Sequence, residues 1–95
     1  MDGGDNLIRR RVVVSGRVQG VGFRWNARRR ACEIGLTGWV RNLPERRVEI
    51  CFQGDAGSVE EMEDWCRVGS SSAYVREAAV TDEAVVEGER GFEIR

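Results

Sequence analysis

The sequence of 95 residues contains no histidine and no lysine. Without histidine it lacks the side chain most often used as a general base and as a metal ligand. Without lysine, Schiff-base chemistry and the phosphate-binding lysine of a P-loop are both excluded. All 15 basic residues are therefore arginine. Cysteine is sparse: Cys32, Cys51 and Cys66 show no C-x-x-C spacing. Free thiols in a reducing compartment are the expectation. No apolar run approaches the roughly 20 residues of a membrane-spanning helix. The polar, acidic start "MDGGDN" is unlike a signal peptide. A net charge of −1 provides no broad basic face for nucleic acid. These absences predict a cytoplasmic protein, with no metal or other cofactor and no nucleic-acid or membrane partner.

Repeats, low-complexity tracts and linkers are also missing. Residues 1–8 are expected to form a flexible N-terminal tail and residues 9–95 a single domain. The β-branched run Val12-Val13-Val14 places a buried strand over residues 9–15. Phe23, Ala27, Ala31 and Ile34 recur at helical spacing, which predicts a helix from residue 23 to about 33 with Gly35 as its C-cap. Trp25 and, later in the chain, Trp65 are read as packing residues on helices. "LTGWVRNL", residues 36–43, reads as a second strand. Residues 47–53 read as a third, in which Val48, Ile50 and Phe52 alternate with Glu49, Cys51 and Gln53. Only "PER" separates the two, so they should pair as a hairpin.

Ser58 and Glu61 form a capping-box pattern at the start of a second helix, with Val59, Met62 and Cys66 as its apolar stripe and Gly69 at its end. A fourth strand follows over residues 74–81. In it Val75 and Val80 have opposite parity, so either a bulge separates them or they face opposite sides. "GFEIR" forms a short last strand. The order β-α-β-β-α-β predicts an α+β, ferredoxin-like sandwich: an antiparallel sheet with two helices on one face.

The stretch "SGRVQGVGFRW" joins the first strand to the first helix. It fits neither the P-loop pattern nor G-x-G-x-x-G, because Phe23-Arg24 follows Gly22 and Trp25 stands at the place of a third glycine. Two readings remain open. The glycines serve a tight turn, or they let backbone N–H groups turn inward as an anion nest at a helix N-terminus, with Arg24 as a planar clamp. Asn42, at the end of the second strand, shares parity with Leu36 and Val40. It either points toward the loop, where its amide can hold a water molecule, or caps the turn before Pro44.

"GRVQGVGFR", then "GLTGWVRNL", then "VEICFQG", resembles the acylphosphatase family over nearly the whole chain, from about Arg9 to the final "GFEIR". The resemblance implies hydrolysis of acyl phosphates, that is carboxyl-phosphate mixed anhydrides, to carboxylate and inorganic phosphate without metal. It implies the same ferredoxin-like fold. It places the phosphate-binding arginine at Arg24 and the water-orienting asparagine at Asn42. The cradle loop falls on Gly16, Arg17, Val18, Gln19, Gly20, Val21, Gly22 and Phe23.

The chain departs from common members at Glu45-Arg46, where an Asp-Gly or Asn-Gly turn is frequent, and at Ser70-Ser71-Ser72, where proline is frequent. The expected partners are a small acyl phosphate and inorganic phosphate as product and inhibitor, acting on a monomer. The main alternative is a non-catalytic module that binds phosphate or carbamoyl phosphate, as in a fusion with a carbamoyltransferase. A free chain of this length speaks against fusion. An RNA-binding sheet would need aromatics at alternate positions on its central strands, and only Trp39 is offered there.

Overall fold

A computed structural model describes residues 6–95. Strands β1 (Leu7–Arg17), β2 (Thr37–Leu43), β3 (Arg47–Asp55), β4 (Tyr74–Glu83) and β5 (Phe92–Ile94) alternate with helices α1 (Phe23–Ile34) and α2 (Ala56–Val68). The sheet order is β4-β1-β3-β2-β5. β3 lies at its centre, antiparallel to both β1 and β2. β1 and β2 therefore run parallel to each other and end on the same edge of the fold. The loop after β1 and the last residues of β2 are brought together by this arrangement.

One correction concerns the sheet. β5 pairs with β2 in parallel, Gly38 opposite Phe92 and Val40 opposite Ile94, so the sheet is mixed rather than antiparallel. The chain reaches this edge from β4, at the opposite edge, and its connection crosses the face away from the helices. There the backbone of Val86 exchanges two hydrogen bonds with the side chain of Gln53, at 2.8 and 2.9 Å. A second correction concerns the tail: β1 begins at Leu7, because Leu7 and Ile8 pair with Asp55 and Gly54. Of the rest of the expected tail, Asn6 is exposed and residues 1–5 lie outside the described residues.

Alternation sorts the side chains. Val12, Val14, Val40, Val48, Ile50 and Phe52 point to the helices and join Phe23, Ala27, Ala31, Val59, Met62 and Cys66 in one core. Glu49 and Gln53, on the other face of β3, are also buried. They remain stable there because they are paired. The Glu49 carboxylate accepts hydrogen bonds from Arg11 at 2.8 Å and Arg41 at 2.6 Å. Arg9 donates to Gln53 at 3.1 Å and to Glu89 at 2.7 Å. Burial works against the charge of Glu89, but hydrogen bonds from Arg9 and the Thr37 hydroxyl hold its carboxyl below the ordinary range. On the same face Trp39 is half-buried, with the guanidinium of Arg95 at 4.7 Å and that of Arg41 at 5.2 Å from its ring. The one aromatic that an RNA-binding sheet would have offered is thus overlaid by arginines.

The parity of β4 resolves as a bulge. Ser15 pairs with Glu77 but Gly16 with Val75, which leaves Arg76 as the extra residue. Val75 and Ala78 then both pack against the core. At the start of α2 the cap is Asp55 rather than Ser58. The Asp55 carboxylate accepts from the Ser58 N–H at 2.9 Å and from the Ser58 hydroxyl at 3.2 Å.

Candidate active site

The loop between β1 and α1 owes its shape to two glycines. Gly20 and Gly22 have φ of 74° and 75°, the left-handed region in which a Cβ costs about 1–2 kcal/mol per residue. Gly22 is also the N-cap of α1, and it brings no side chain to cap the helix. The backbone N–H groups of Gly20, Val21, Gly22 and Phe23 donate no hydrogen bond among the described residues. Free donors, a helix N-terminus and a first turn with no acidic residue leave a partial positive charge here that the first turn of α1 does not offset.

Several contacts hold the loop in place. Phe23, at 1% exposure, anchors its end in the core against Trp65, with ring centroids 5.2 Å apart. The buried Val18 anchors its start. The Gln19 amide donates to the carbonyls of Leu43 at 2.8 Å and Arg47 at 2.9 Å, which ties the loop to the β2–β3 hairpin. Ser70, in the turn after α2, donates to the Val21 carbonyl at 3.1 Å. The Asn26 side chain donates back to Gly22 O at 2.8 Å. The roles of Ser70 and Asn26 are absent from the sequence reading. Asn26, four residues after a glycine at a helix start, carried a usable signal; Ser70, a long-range contact, carried none.

Gly16 and Arg17 are not part of the loop proper. They form the last pairs of β1, opposite Val75 and Tyr74. A Cβ on Gly16 would stand 2.3 Å from the Tyr74 carbonyl oxygen, so glycine there permits the close approach of the bulged strand.

Arg24 and Asn42 meet at a hollow of about 190 Å³, together with Gly20, Gly22, Trp25 and Ile94. Arg24 is half-buried, Asn42 exposed, and Arg24 makes no ion pair among the described residues. Asn42 does not cap the turn before Pro44; the Pro44 carbonyl instead accepts from Arg47 at 3.1 Å. The parity with the buried Val40 and Leu36 holds, and it brings Asn42 to the loop. Trp25 departs from its expected packing role: it is 58% exposed. A larger hollow, about 480 Å³, opens beside the other flank of the loop. It is lined by Arg17, Arg46, Arg76 and Tyr74 and holds neither Arg24 nor Asn42.

The smaller hollow offers backbone donors and a guanidinium to an anion, and a neutral amide able to hold water. Among the described residues no group of three His, Cys, Asp or Glu side chains is placed to hold a metal ion.

A family model described as Acylphosphatase matches residues 10–94. An acylphosphatase of Rubrobacter xylanophilus is 50% identical over 95 residues, spanning all of this chain and 86% of that protein. One of Trichormus variabilis is 54% identical over 89 residues, spanning 94% of this chain and 87% of its own length. Among solved structures, an acylphosphatase from Coxiella burnetii superposes with a TM-score of 0.90 at 36% identity, covering 100% of this chain and 99% of that one.

Proposed function

The chain belongs to the acylphosphatase family and hydrolyses acyl phosphates to carboxylate and inorganic phosphate, and from this we propose how its own residues carry the reaction. The phosphoryl group lies in the loop from Val18 to Phe23, which acts through its backbone N–H groups, while Gly16 and Arg17 end β1 and carry the loop. Arg24 grips two phosphoryl oxygens with its planar fork. Asn42 orients the attacking water. The observation that carries this reading is the shared hollow, where Arg24 and Asn42 flank glycines whose N–H groups meet no acceptor among the described residues.

The chemistry asks little more of the protein. The leaving carboxylate is a weak base and departs without a proton. Water attacks phosphorus, the bond from phosphorus to the acyl oxygen breaks, and its electron pair leaves with the carboxylate. The proton of the water passes to a phosphoryl oxygen of the substrate, so a histidine base is not required. Phosphoryl transfer of this kind rests on positioning and on neutralising the equatorial oxygens. The positive surroundings of the loop supply that neutralisation and would repel a divalent cation, so the reaction proceeds without metal. The same reading makes inorganic phosphate a competitive inhibitor.

The proposal extends to a cytoplasmic monomer with no nucleic-acid or membrane partner. Three free cysteines suit a reducing compartment. Among the described residues no helix is long and apolar enough to cross a membrane. The test is a steady-state assay with benzoyl phosphate on enzyme treated exhaustively with EDTA. Activity should persist, should not rise with added Mg²⁺, and should fall competitively with inorganic phosphate. Loss on chelation with recovery on adding metal would overturn the reading.

A further inference from the structure

Trp25 follows Arg24 directly and lies off the helix face formed by Phe23, Ala27 and Ala31. Its exposure of 58% is unusual for an indole, whose burial is among the largest apolar gains a side chain can make. It is not a stray surface residue. It lines the same hollow as Arg24, Asn42 and the two left-handed glycines, and so does Ile94, another large apolar side chain left in water at 42% exposure.

The indole is also held. One helical turn on, the guanidinium of Arg29 lies over its ring, 5.8 Å from the centroid. One turn further, Glu33 pairs with Arg29 at 3.4 Å. Trp25, Arg29 and Glu33 thus form an i, i+4, i+8 ladder along the outer face of α1 that limits the orientations of the ring.

We propose that Trp25 is the platform for the acyl group of the substrate, and that it favours acyl phosphates whose acyl group is aromatic or bulky and apolar over those with a small one. This rests on the reading that the phosphoryl group occupies the loop. A phosphoryl group presents only oxygens, which the N–H donors and Arg24 satisfy, and it gains nothing from an indole. The acyl half is the part of the substrate that leaves the cradle and the part that differs between substrates. Sites that enclose a drug-sized ligand measure about 300–1,000 Å³. At about 190 Å³ the hollow is smaller, so the acyl group rests on the ring instead of being enclosed. The preference is therefore one of degree.

The test compares kcat/KM for benzoyl phosphate and acetyl phosphate in Trp25→Ala, Trp25→Phe and Arg29→Ala. Aromatic stacking is worth up to about tenfold. The benzoyl-to-acetyl ratio should therefore fall about tenfold in Trp25→Ala, while the inhibition constant of inorganic phosphate stays near that of the parent. Trp25→Phe should restore most of the ratio, and Arg29→Ala should lower it by a smaller factor. An unchanged ratio in Trp25→Ala overturns the platform, whether both substrates are lost equally or neither is affected. A parent enzyme that hydrolyses neither substrate overturns the underlying reading as well, which keeps the two failures distinct.

Discussion

Replacing Arg24 by lysine keeps the charge and removes the fork. Arg24 forms no ion pair among the described residues, and it stands on the first turn of α1 outside the core. The substitution therefore removes no contact that holds the fold, and stability should change by no more than about 0.5 kcal/mol. The catalytic effect is separate. A guanidinium can place two parallel N–H groups on two phosphoryl oxygens, whereas an ammonium acts as a point charge on a flexible stem. Loss of one donor aimed at transition-state charge costs about 100-fold in rate, or about 2.7 kcal/mol. In Arg24→Lys, kcat/KM for benzoyl phosphate should drop by about that factor or more, while the melting temperature stays near that of the parent. Both are read from the same preparation, by following the absorbance of benzoyl phosphate at steady state and by thermal denaturation. A folded variant with kcat/KM within about threefold of the parent would show that Arg24 is not the phosphate clamp.

Four further outcomes are expected. Asn42→Ala should lower kcat strongly and leave the phosphate inhibition constant almost unchanged, since the water loses its holder and the anion cradle does not; an equal drop in phosphate affinity would make Asn42 a phosphate ligand. Glu45 and Arg46 sit at φ of 66° and 57°, so Glu45→Asn combined with Arg46→Gly should add about 1 kcal/mol and raise the melting temperature by roughly 5 °C; no gain in calorimetry would mean the turn is not strained. In the native protein a thiol reagent should label Cys32, which is exposed, and spare the buried Cys51 and Cys66, whose thiols burial pushes up and keeps protonated; rapid labelling of all three before unfolding would contradict the packing. The Ser58 N–H, and then its hydroxyl, hold the Asp55 carboxyl below its ordinary value. Its contribution is thus present above about pH 4 and lost as pH falls through the native value; Asp55→Asn, which caps without titrating, should flatten the acid side of the melting curve, and parallel curves would refute the cap.

The order of elements was legible because the signals for it are local. The Val12–Val14 run, the four-residue recurrence from Phe23 to Ala31 and the alternation around Ile50 each mark an element within a few residues. The glycine loop was legible for the same reason, and Asn42 came within reach through strand parity. What escaped depends on residues far apart in sequence. The parallel pairing of β5 with β2 and the crossing of Val86 over Gln53 have no local mark. Asp55 was hidden because it also ends β3, and the Ser58–Glu61 pattern competed for the same helix start. Trp25 has the local mark of a packing aromatic on a helix; its exposure and its place in the hollow come only with the fold. Gln19 was read as cradle, yet its side chain braces the hairpin.

The extra residue in β4 bears on how the molecule behaves at high concentration. β4 is a long strand at an open edge of the sheet, and such an edge presents unpaired N–H and C=O groups to other chains. A regular strand laid alongside it would meet a break in register at Arg76, where the backbone bends. Exposed Glu77, Asp82 and Glu83 set like charges against a second copy of the same strand. The opposite edge, β5, is three residues long and ends the pairing almost as soon as it begins. The irregularity that brings both Val75 and Ala78 to the core therefore also makes this edge a poor template for a second copy of the chain, without spending a residue of the candidate site.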